Sequence, residues 1–312
     1  MHRSLERIAF AFLCNVLVLF VALTASTAEG QEPYSFKVDV HEVRLTFVAT
    51  DQHNRDVAML TRADLAVVDN GTVIRKFRSL NRYPQSNLEV LLLIDASESE
   101  ARQFSEEIAE ASQLITRARW KPDDVLSIMT FGGVGPNFVC VRDCRDLPPA
   151  GWASKIHAKG QTPLFDAAVL GVDFLSNNRD PNYRPVMVIL SDGDDTISRH
   201  AFHDVVLSAI RAEIPIYTLN TGRPRTFVDS IVLREMAALT GGCSFTRAPG
   251  APSALASVLD DLRNAYVLTY ELPSHSEGLH SVNILPTTNS NLHLRSRRSY
   301  YYGVQTSVRK GD

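Results

Sequence analysis

Apolar strand-like runs alternate with helical patterns through residues 86–264, and this alternation constrains the fold more than any other feature of the sequence. The runs 88–94 (LEVLLLI), 125–131 and 185–190 (PVMVIL) are nearly continuous in apolar side chains, as in strands that are covered on both faces. The intervening stretches place apolar residues at helical spacing, for example across 104–115. This pattern predicts an α/β domain with a mainly parallel sheet and helices on both faces.

The two flanks of this region have a different, strand-like rhythm. Residues 34–82 and 265–303 alternate apolar and polar side chains, with turn residues between the runs. Residues 69–72 (DNGT) form a typical hairpin turn between two such runs. Because neither flank alone is large enough to bury a good core, we expect them to pair into one small β-sandwich, with 86–264 inserted between them.

The N-terminal segment, residues 1–28, has the organisation of a secretory signal. Arg3 and Arg7 precede an apolar run at 8–23, and small residues end at Ala28, after which we place the cleavage. The alternative is an uncleaved membrane anchor, although the run is a little short for a membrane span. We therefore expect a secreted or periplasmic protein with no stable membrane insertion after the signal is removed.

Charge and length exclude several classes of protein. The 312-residue chain carries 32 basic against 35 acidic side chains, so its net charge of −3 offers no basic surface for nucleic acid. Its hydrophobic content of 45% is that of an ordinary folded protein rather than a disordered one. The length favours two domains.

Three cysteines remain once the signal is removed, and an odd number outside the cytoplasm leaves at least one thiol unpaired or bridging two chains. Cys140 and Cys144 are close enough in sequence to bridge across a tight loop. The other interpretation is that all three are small buried side chains. They lack the paired spacing of a zinc site, and the fate of Cys243 stays open.

Oxygen-bearing side chains follow two of the predicted strands and precede the helix between them. In an open sheet of this class, loops at the carboxyl ends of the strands meet at one edge, where ligands bind. Hydroxyl and carboxylate oxygens are hard ligands, which suit Mg²⁺, Mn²⁺ or Ca²⁺ rather than copper or zinc. The candidate metal ligands are Asp95, Ser97, Ser99, Thr162 and Asp192.

Each of these residues, taken alone, also has an ordinary structural interpretation. A serine after a strand is a common helix cap, and Thr162 before Pro163 is a good helix start. Asp192 followed by Gly193 is a typical turn. The combination of all of them at the appropriate strand ends favours a metal site.

The order and spacing of these residues resemble the metal-ion-dependent adhesion site of von Willebrand factor type A (vWA) domains, with Asp95-x-Ser97-x-Ser99 as its first loop. The flanks widen the likeness. Residues 57–77, with LTRADLAVVDNG at 60–71 in their middle, and residues 298–303 (RSYYYG) are similar to the bacterial secreted VWFA-related family first described in acidobacteria.

The resemblance implies a Rossmann-like fold that binds a divalent cation, Mg²⁺ first, with Mn²⁺ or Ca²⁺ as alternatives. It implies that Ser97, Ser99 and Thr162 contact the ion, and that Asp95 and Asp192 hold its water ligands or bind it directly. An exchangeable coordination position would then accept an acidic side chain of a partner protein. The expected function is protein binding, with no catalytic residue and no organic cofactor.

Glu98 keeps a second interpretation open. It stands where the family most often has glycine, so it would either strain the loop or repel an incoming carboxylate. With an empty site, the protein would be a structural scaffold. A metal-dependent enzyme or enzyme subunit is the third interpretation, although no general base is placed to activate a water.

Overall fold

The structure, a computed structural model, covers both predicted flanks in part and the region between them. It describes residues 42–83, 86–98, 104–133, 135–147, 149–154, 156–177, 180–221, 227–246, 256–274, 276–287 and 291–303. The predicted signal, the first residues of the N-terminal flank and Ser99 lie outside these residues.

The strands and helices of the described residues follow the alternation of the sequence. The strands are β1 (Glu42–Thr50), β2 (Leu65–Asp69), β3 (Thr72–Ile74), β4 (Ser79–Arg82), β5 (Asn87–Asp95), β6 (Val125–Phe131), β7 (Asn137–Cys140), β8 (Tyr183–Ser191), β9 (Ile216–Asn220), β10 (Ser244–Thr246), β11 (Tyr266–Glu271), β12 (Gly278–Pro286), β13 (His293–Ser296) and β14 (Ser299–Tyr302). The helices are α1 (Phe104–Arg117), α2 (Pro149–Ala153), α3 (Leu164–Asn177), α4 (Phe202–Ala212), α5 (Phe227–Thr240) and α6 (Ala256–Asn264).

The central region forms one six-stranded sheet in the order β10-β9-β8-β5-β6-β7. Its neighbouring strands are parallel except at one edge, where β7 runs antiparallel to β6. The strand order therefore reverses between β5 and β8, which is where an open sheet of this class leaves a crevice at its carboxyl edge. The predicted α/β class is confirmed.

The helices cover both faces of this sheet, and β5 shows why its sequence is continuously apolar. Leu92 and Ile94 pack in one core with α1 and α6, whereas Leu91 and Leu93 pack in a second core with α3, α4 and α5. All four side chains are fully buried. A strand covered on both faces has no solvent-facing side, so its sequence is continuously apolar rather than alternating between apolar and polar residues.

The two flanks pair into a β-sandwich. One sheet has the order β13-β1-β11-β4 and the other β14-β12-β2-β3, and both contribute to a single apolar core. Within each sheet, strands that precede the central region pair with strands that follow it, as β1 does with β11 and β2 with β12. The predicted insertion of the central domain into a sandwich is confirmed, while the domain boundaries themselves stay a prediction.

A buried carboxylate joins the two flanks inside the sandwich. Asp69, at the end of β2, is fully buried, and its Oδ2 accepts hydrogen bonds from the hydroxyls of Tyr270 and Tyr300, both at 2.8 Å. Burial and these hydrogen bonds raise the pKa of both tyrosines. Asp69 Oδ1 is buried without a hydrogen-bond partner among the described residues.

Two elements of the central region differ from the sequence prediction, which contained neither β7 nor α2. Strand β7 lies at the sheet edge with half-exposed side chains, and α2 is only 5 residues long, so neither has a distinct hydrophobic period. Cys140, the last residue of β7, forms a disulfide with Cys144, which confirms the pair favoured by spacing. Cys243 is a free, half-buried thiol.

In the part of the chain that the structure describes, no helix combines the length and the apolar character that a membrane span needs.

We expect Tyr300→Phe to lower the free energy of unfolding by about 1–3 kcal/mol, because buried Asp69 would lose one of its two hydroxyl donors. The matched control is Tyr301→Phe, since this neighbouring ring is 41% exposed on the same strand and its hydroxyl has no such role. Chemical denaturation of both variants is the measurement. Equal stability of the two variants would contradict this account of the sandwich.

Candidate metal centre

The first loop of the candidate site (residues 95–98) begins where β5 ends. Asp95 is the last residue of β5, and both Asp95 and Ser97 are fully buried. The Ser97 backbone N–H donates to Asp95 Oδ1 at 2.9 Å, which folds the chain into a tight turn directly after the strand. Ser99, the third residue of the predicted motif, lies outside the described residues.

The second loop (residues 159–162) is held against the first by backbone hydrogen bonds. Lys159 N–H donates to the carbonyl of Ala96, and Glu98 N–H donates to the carbonyl of Gly160, both at 2.8 Å. Gly160 has φ +72°, and a Cβ there would lie 2.4 Å from the Cα of Gly133. Only glycine allows this approach, which brings Thr162 beside the first loop.

The third loop (residues 191–196) closes the arrangement from β8. The Ser191 hydroxyl donates to Asp95 Oδ2 at 2.8 Å and accepts from Gly193 N–H at 3.0 Å. Thr162 and Thr196 are joined by three bonds. Thr196 N–H donates to the Thr162 carbonyl at 2.9 Å, Thr162 N–H donates to Thr196 Oγ1 at 2.8 Å, and the Thr196 hydroxyl donates to the Thr162 carbonyl at 3.4 Å. Hydrogen bonds therefore connect all three loops.

Four of the five predicted ligands are described, and all four lie on these connected loops. Asp95, Ser97 and Thr162 are buried, while Asp192 is half-buried and accepts from Asp194 N–H at 3.0 Å. Among the described residues, no group of three or more His, Cys, Asp or Glu side chains is arranged to hold a metal. The predicted set contains only two carboxylates, and its other oxygens come from hydroxyls.

The electrostatics of the loops centre on Asp95. Burial, and to a smaller extent the nearby charge of Asp192, raise the pKa of this carboxyl to about 6, against the hydrogen bonds from Ser97 and Ser191, which lower it. The carboxylates of Asp95 and Asp192 and the hydroxyls of Ser97 and Thr162 lie on the connected loops, and such hard oxygen donors are the kind that Mg²⁺ or Mn²⁺ prefers.

Two residues that organise the loops were not identified from the sequence. Ser191 connects Asp95 to the third loop, and Thr196 connects the third loop to Thr162. A serine between an apolar strand and Asp192 was the available signal for Ser191. Thr196 carried no signal, because its role depends on a contact with a loop 34 residues away in sequence.

The structure answers one question raised by Glu98. Glu98 is not among the described non-glycine residues with positive φ, so its side chain does not impose backbone strain on the first loop. It is exposed at the edge of the site. The other expected effect of Glu98, electrostatic repulsion of an incoming carboxylate, stays a prediction.

Asp195 has a structural role rather than a metal-binding one. Its Oδ1 accepts from Phe165 N–H in the first turn of α3 at 3.1 Å and from the Ser198 hydroxyl at 2.6 Å. A carboxylate on the free N–H groups of a helix N-terminus stabilises that helix. Asp194, beside it, is exposed.

In a chelator-treated sample we expect Asp95→Asn to make the protein more stable at pH 7. The folded-state pKa of Asp95 is about 6, against 3.8 in a model peptide, so folding at pH 7 carries a cost for burying the charge of up to about 3 kcal/mol. This cost is absent below pH 4, where the carboxyl is protonated in both states, so the advantage of the variant should disappear as the pH falls from about 6 to about 4.

The measurement is chemical denaturation of wild type and Asp95→Asn at pH 7 and at pH 4, with Asp194→Asn as the exposed control. A difference between wild type and Asp95→Asn that does not change with pH would contradict this description of Asp95.

Comparison with known proteins finds solved structures of low sequence identity and low overall structural overlap. No family model matches the chain, and no curated protein matches it. Among solved structures, an aerotolerance-related membrane protein from Bacteroides fragilis is 14% identical, with 56% of this chain and 98% of that chain covered and a TM-score of 0.43. The manganese-loaded TRAP protein of Plasmodium vivax is 12% identical, with 70% and 96% covered and a TM-score of 0.43.

A von Willebrand factor type A protein from Catenulispora acidiphila is 12% identical, with 86% of this chain and 75% of that chain covered and a TM-score of 0.42. The narrower likeness to the acidobacterial secreted family stays a prediction. The conclusion about the fold rests on three features of the structure. These are the strand order of the central sheet, its antiparallel edge strand and the position of the Asp95–Ser97 loop after β5. The central region of this chain has the Rossmann-like α/β fold that the resemblance to von Willebrand factor type A domains predicts.

Proposed function

We propose that this protein is a secreted or periplasmic binding protein that engages a protein partner through a divalent cation. The observation that supports the proposal most strongly is the junction of three loops at the carboxyl edge of the sheet, around the buried carboxylate of Asp95. The residues proposed to hold the cation are Asp95, Ser97, Ser99, Thr162 and Asp192.

A cation at this place would offset a charge that the fold otherwise buries at a cost. An ionised carboxylate taken out of water needs a compensating charge, or it takes up a proton instead. Asp95 and Asp192 carry at most two negative charges, while the hydroxyls of Ser97 and Thr162 are neutral. These two charges formally balance a divalent ion, but where the carboxylates hold it through water ligands the ion keeps a strong local field and a coordination position that a carboxylate oxygen can enter.

The proposed partner is a protein that presents an acidic side chain, and the proposed ion is Mg²⁺, with Mn²⁺ or Ca²⁺ as alternatives. Exposed Glu98 would weaken the attraction of an acidic partner without preventing metal binding, since it does not distort the loop. Binding of this kind needs no catalytic group. The proposal is therefore a non-enzymatic function.

We expect Mg²⁺ or Mn²⁺ to raise the melting temperature of the chelator-treated protein, because a ligand that binds only the native state stabilises it by mass action. At about 100 times the Kd, the gain is about 2.7 kcal/mol. Thr162→Val should abolish the gain, since valine keeps the shape of threonine and removes the hydroxyl. Asp194→Asn, an exposed carboxylate on the third loop, is the matched control and should retain it.

Absence of stabilisation by either cation in the wild type would favour the scaffold with an empty site. Equal stabilisation of the wild type and Thr162→Val would place the ion elsewhere.

The partner interaction has its own test. Wild type and Asp194→Asn should capture a protein from the envelope fraction of the source organism in Mg²⁺, and chelator should release it. Thr162→Val should capture none. Capture that persists in chelator would contradict the cation-bridged mode, while turnover of an ester, peptide or phosphate substrate that Asp95→Asn abolishes would favour the enzyme alternative.

A further inference from the structure

A cavity of about 420 Å³ lies at the edge of the central sheet opposite the candidate metal centre. Its lining includes the first residues of β8 and residues of β1 in the sandwich. Strand β8 begins at Tyr183 and ends at Ser191, so the cavity and the metal centre are on the order of 25 Å apart. The cavity is therefore a separate place on the molecule and has no part in the proposed function.

Positive charge dominates the lining of this cavity. Arg44, Arg184 and Arg297 contribute three guanidinium groups, against the single carboxylate of Glu213. Glu213 pairs with Arg297, whose Nη1 lies 3.2 Å from Glu213 Oε1. Neither Arg44 nor Arg184 has an ion-pair partner among the described residues, so the lining carries an excess of positive charge.

Arg297 also leaves a donor without an acceptor. Its side chain is only 13% exposed, its Nη2 donates to the carbonyl of Arg44 at 2.9 Å, and its buried Nε has no hydrogen-bond partner among the described residues. A buried N–H of a charged group that lacks an acceptor is costly. An anion in the cavity would supply the missing negative charge.

Arg184 is held in place before any ligand arrives. Its Nη1 donates to the carbonyl of Leu262 at 2.6 Å, and its guanidinium lies 4.0 Å from the centre of the Tyr83 ring. The guanidinium of Arg44 lies over the same ring at 5.5 Å. Burial lowers the pKa of Arg184, and the charge of Arg44 lowers it further, which reflects two positive groups on one aromatic ring.

The rest of the lining is apolar enough to contact a ligand body. Tyr83, Ile210 and Pro215 belong to it, and its volume is within the range of small-molecule sites. We propose that this cavity binds a small organic anion, with a carboxylate or phosphate head group among Arg44, Arg184 and Arg297 and a compact apolar body against Tyr83 and Pro215. Guanidinium groups bind both head groups through paired N–H donors.

The test is calorimetric titration of the whole protein with benzoate and with phenyl phosphate, which share the apolar body and differ in the head group. We expect saturable binding of at least one probe with one site per chain, and the tighter probe identifies the head group. Arg44→Gln should weaken binding about tenfold, the equivalent of one lost charge-assisted hydrogen bond. Arg184→Gln should weaken it at least as much.

The control is Arg75→Gln, which removes one positive charge from an exposed position outside the cavity lining and should leave binding unchanged. Arg44 is exposed, so its variant keeps the test valid even where Arg184→Gln fails to fold. The proposal is overturned if neither probe binds saturably at about 10 mM, well above a Kd of about 1 mM. It is equally overturned if Arg44→Gln and Arg75→Gln bind alike.

Discussion

The buried carboxylate of Asp95 is the group on which the arrangement of the candidate site depends. One oxygen accepts from the Ser97 backbone and forms the turn after β5, and the other accepts from Ser191 and ties that turn to the loop after β8. The second loop joins through backbone bonds at Lys159 and Gly160. Because a carboxylate in this position is costly to keep ionised, the same interaction that organises the loops also creates a demand for positive charge.

The sheet determines where Asp95, and with it the need for a compensating positive charge, is located. Apolar cores on both faces of β5 fix the strand between β6 and β8, and the reversal of strand order there opens the carboxyl edge. At the amino edge, the sandwich meets the sheet around a cavity lined by Arg44, Arg184 and Arg297. The molecule thus carries an excess of negative charge at one edge of its sheet and an excess of positive charge at the other.

Much of the fold was predictable because the apolar runs of β5, β6 and β8 and the turn at 69–72 are local signals. In the candidate site, the motif residues could be identified, whereas Ser191 and Thr196 could not, since their hydrogen bonds connect loops that are distant in sequence. The edge strand β7 lacks a hydrophobic period, and the arginine cavity forms only when the flanks meet the central sheet. The secretory signal and the role of Ser99 as a metal ligand stay predictions.

The most direct test of the central claim is a crystal structure of the protein with Mn²⁺, in which anomalous scattering locates the ion. The account predicts one peak at the carboxyl edge of the sheet, with hydroxyl oxygens of Ser97, Ser99 and Thr162 within about 2.5 Å of it. A peak at another place, or no peak in crystals whose three loops are ordered, would contradict it.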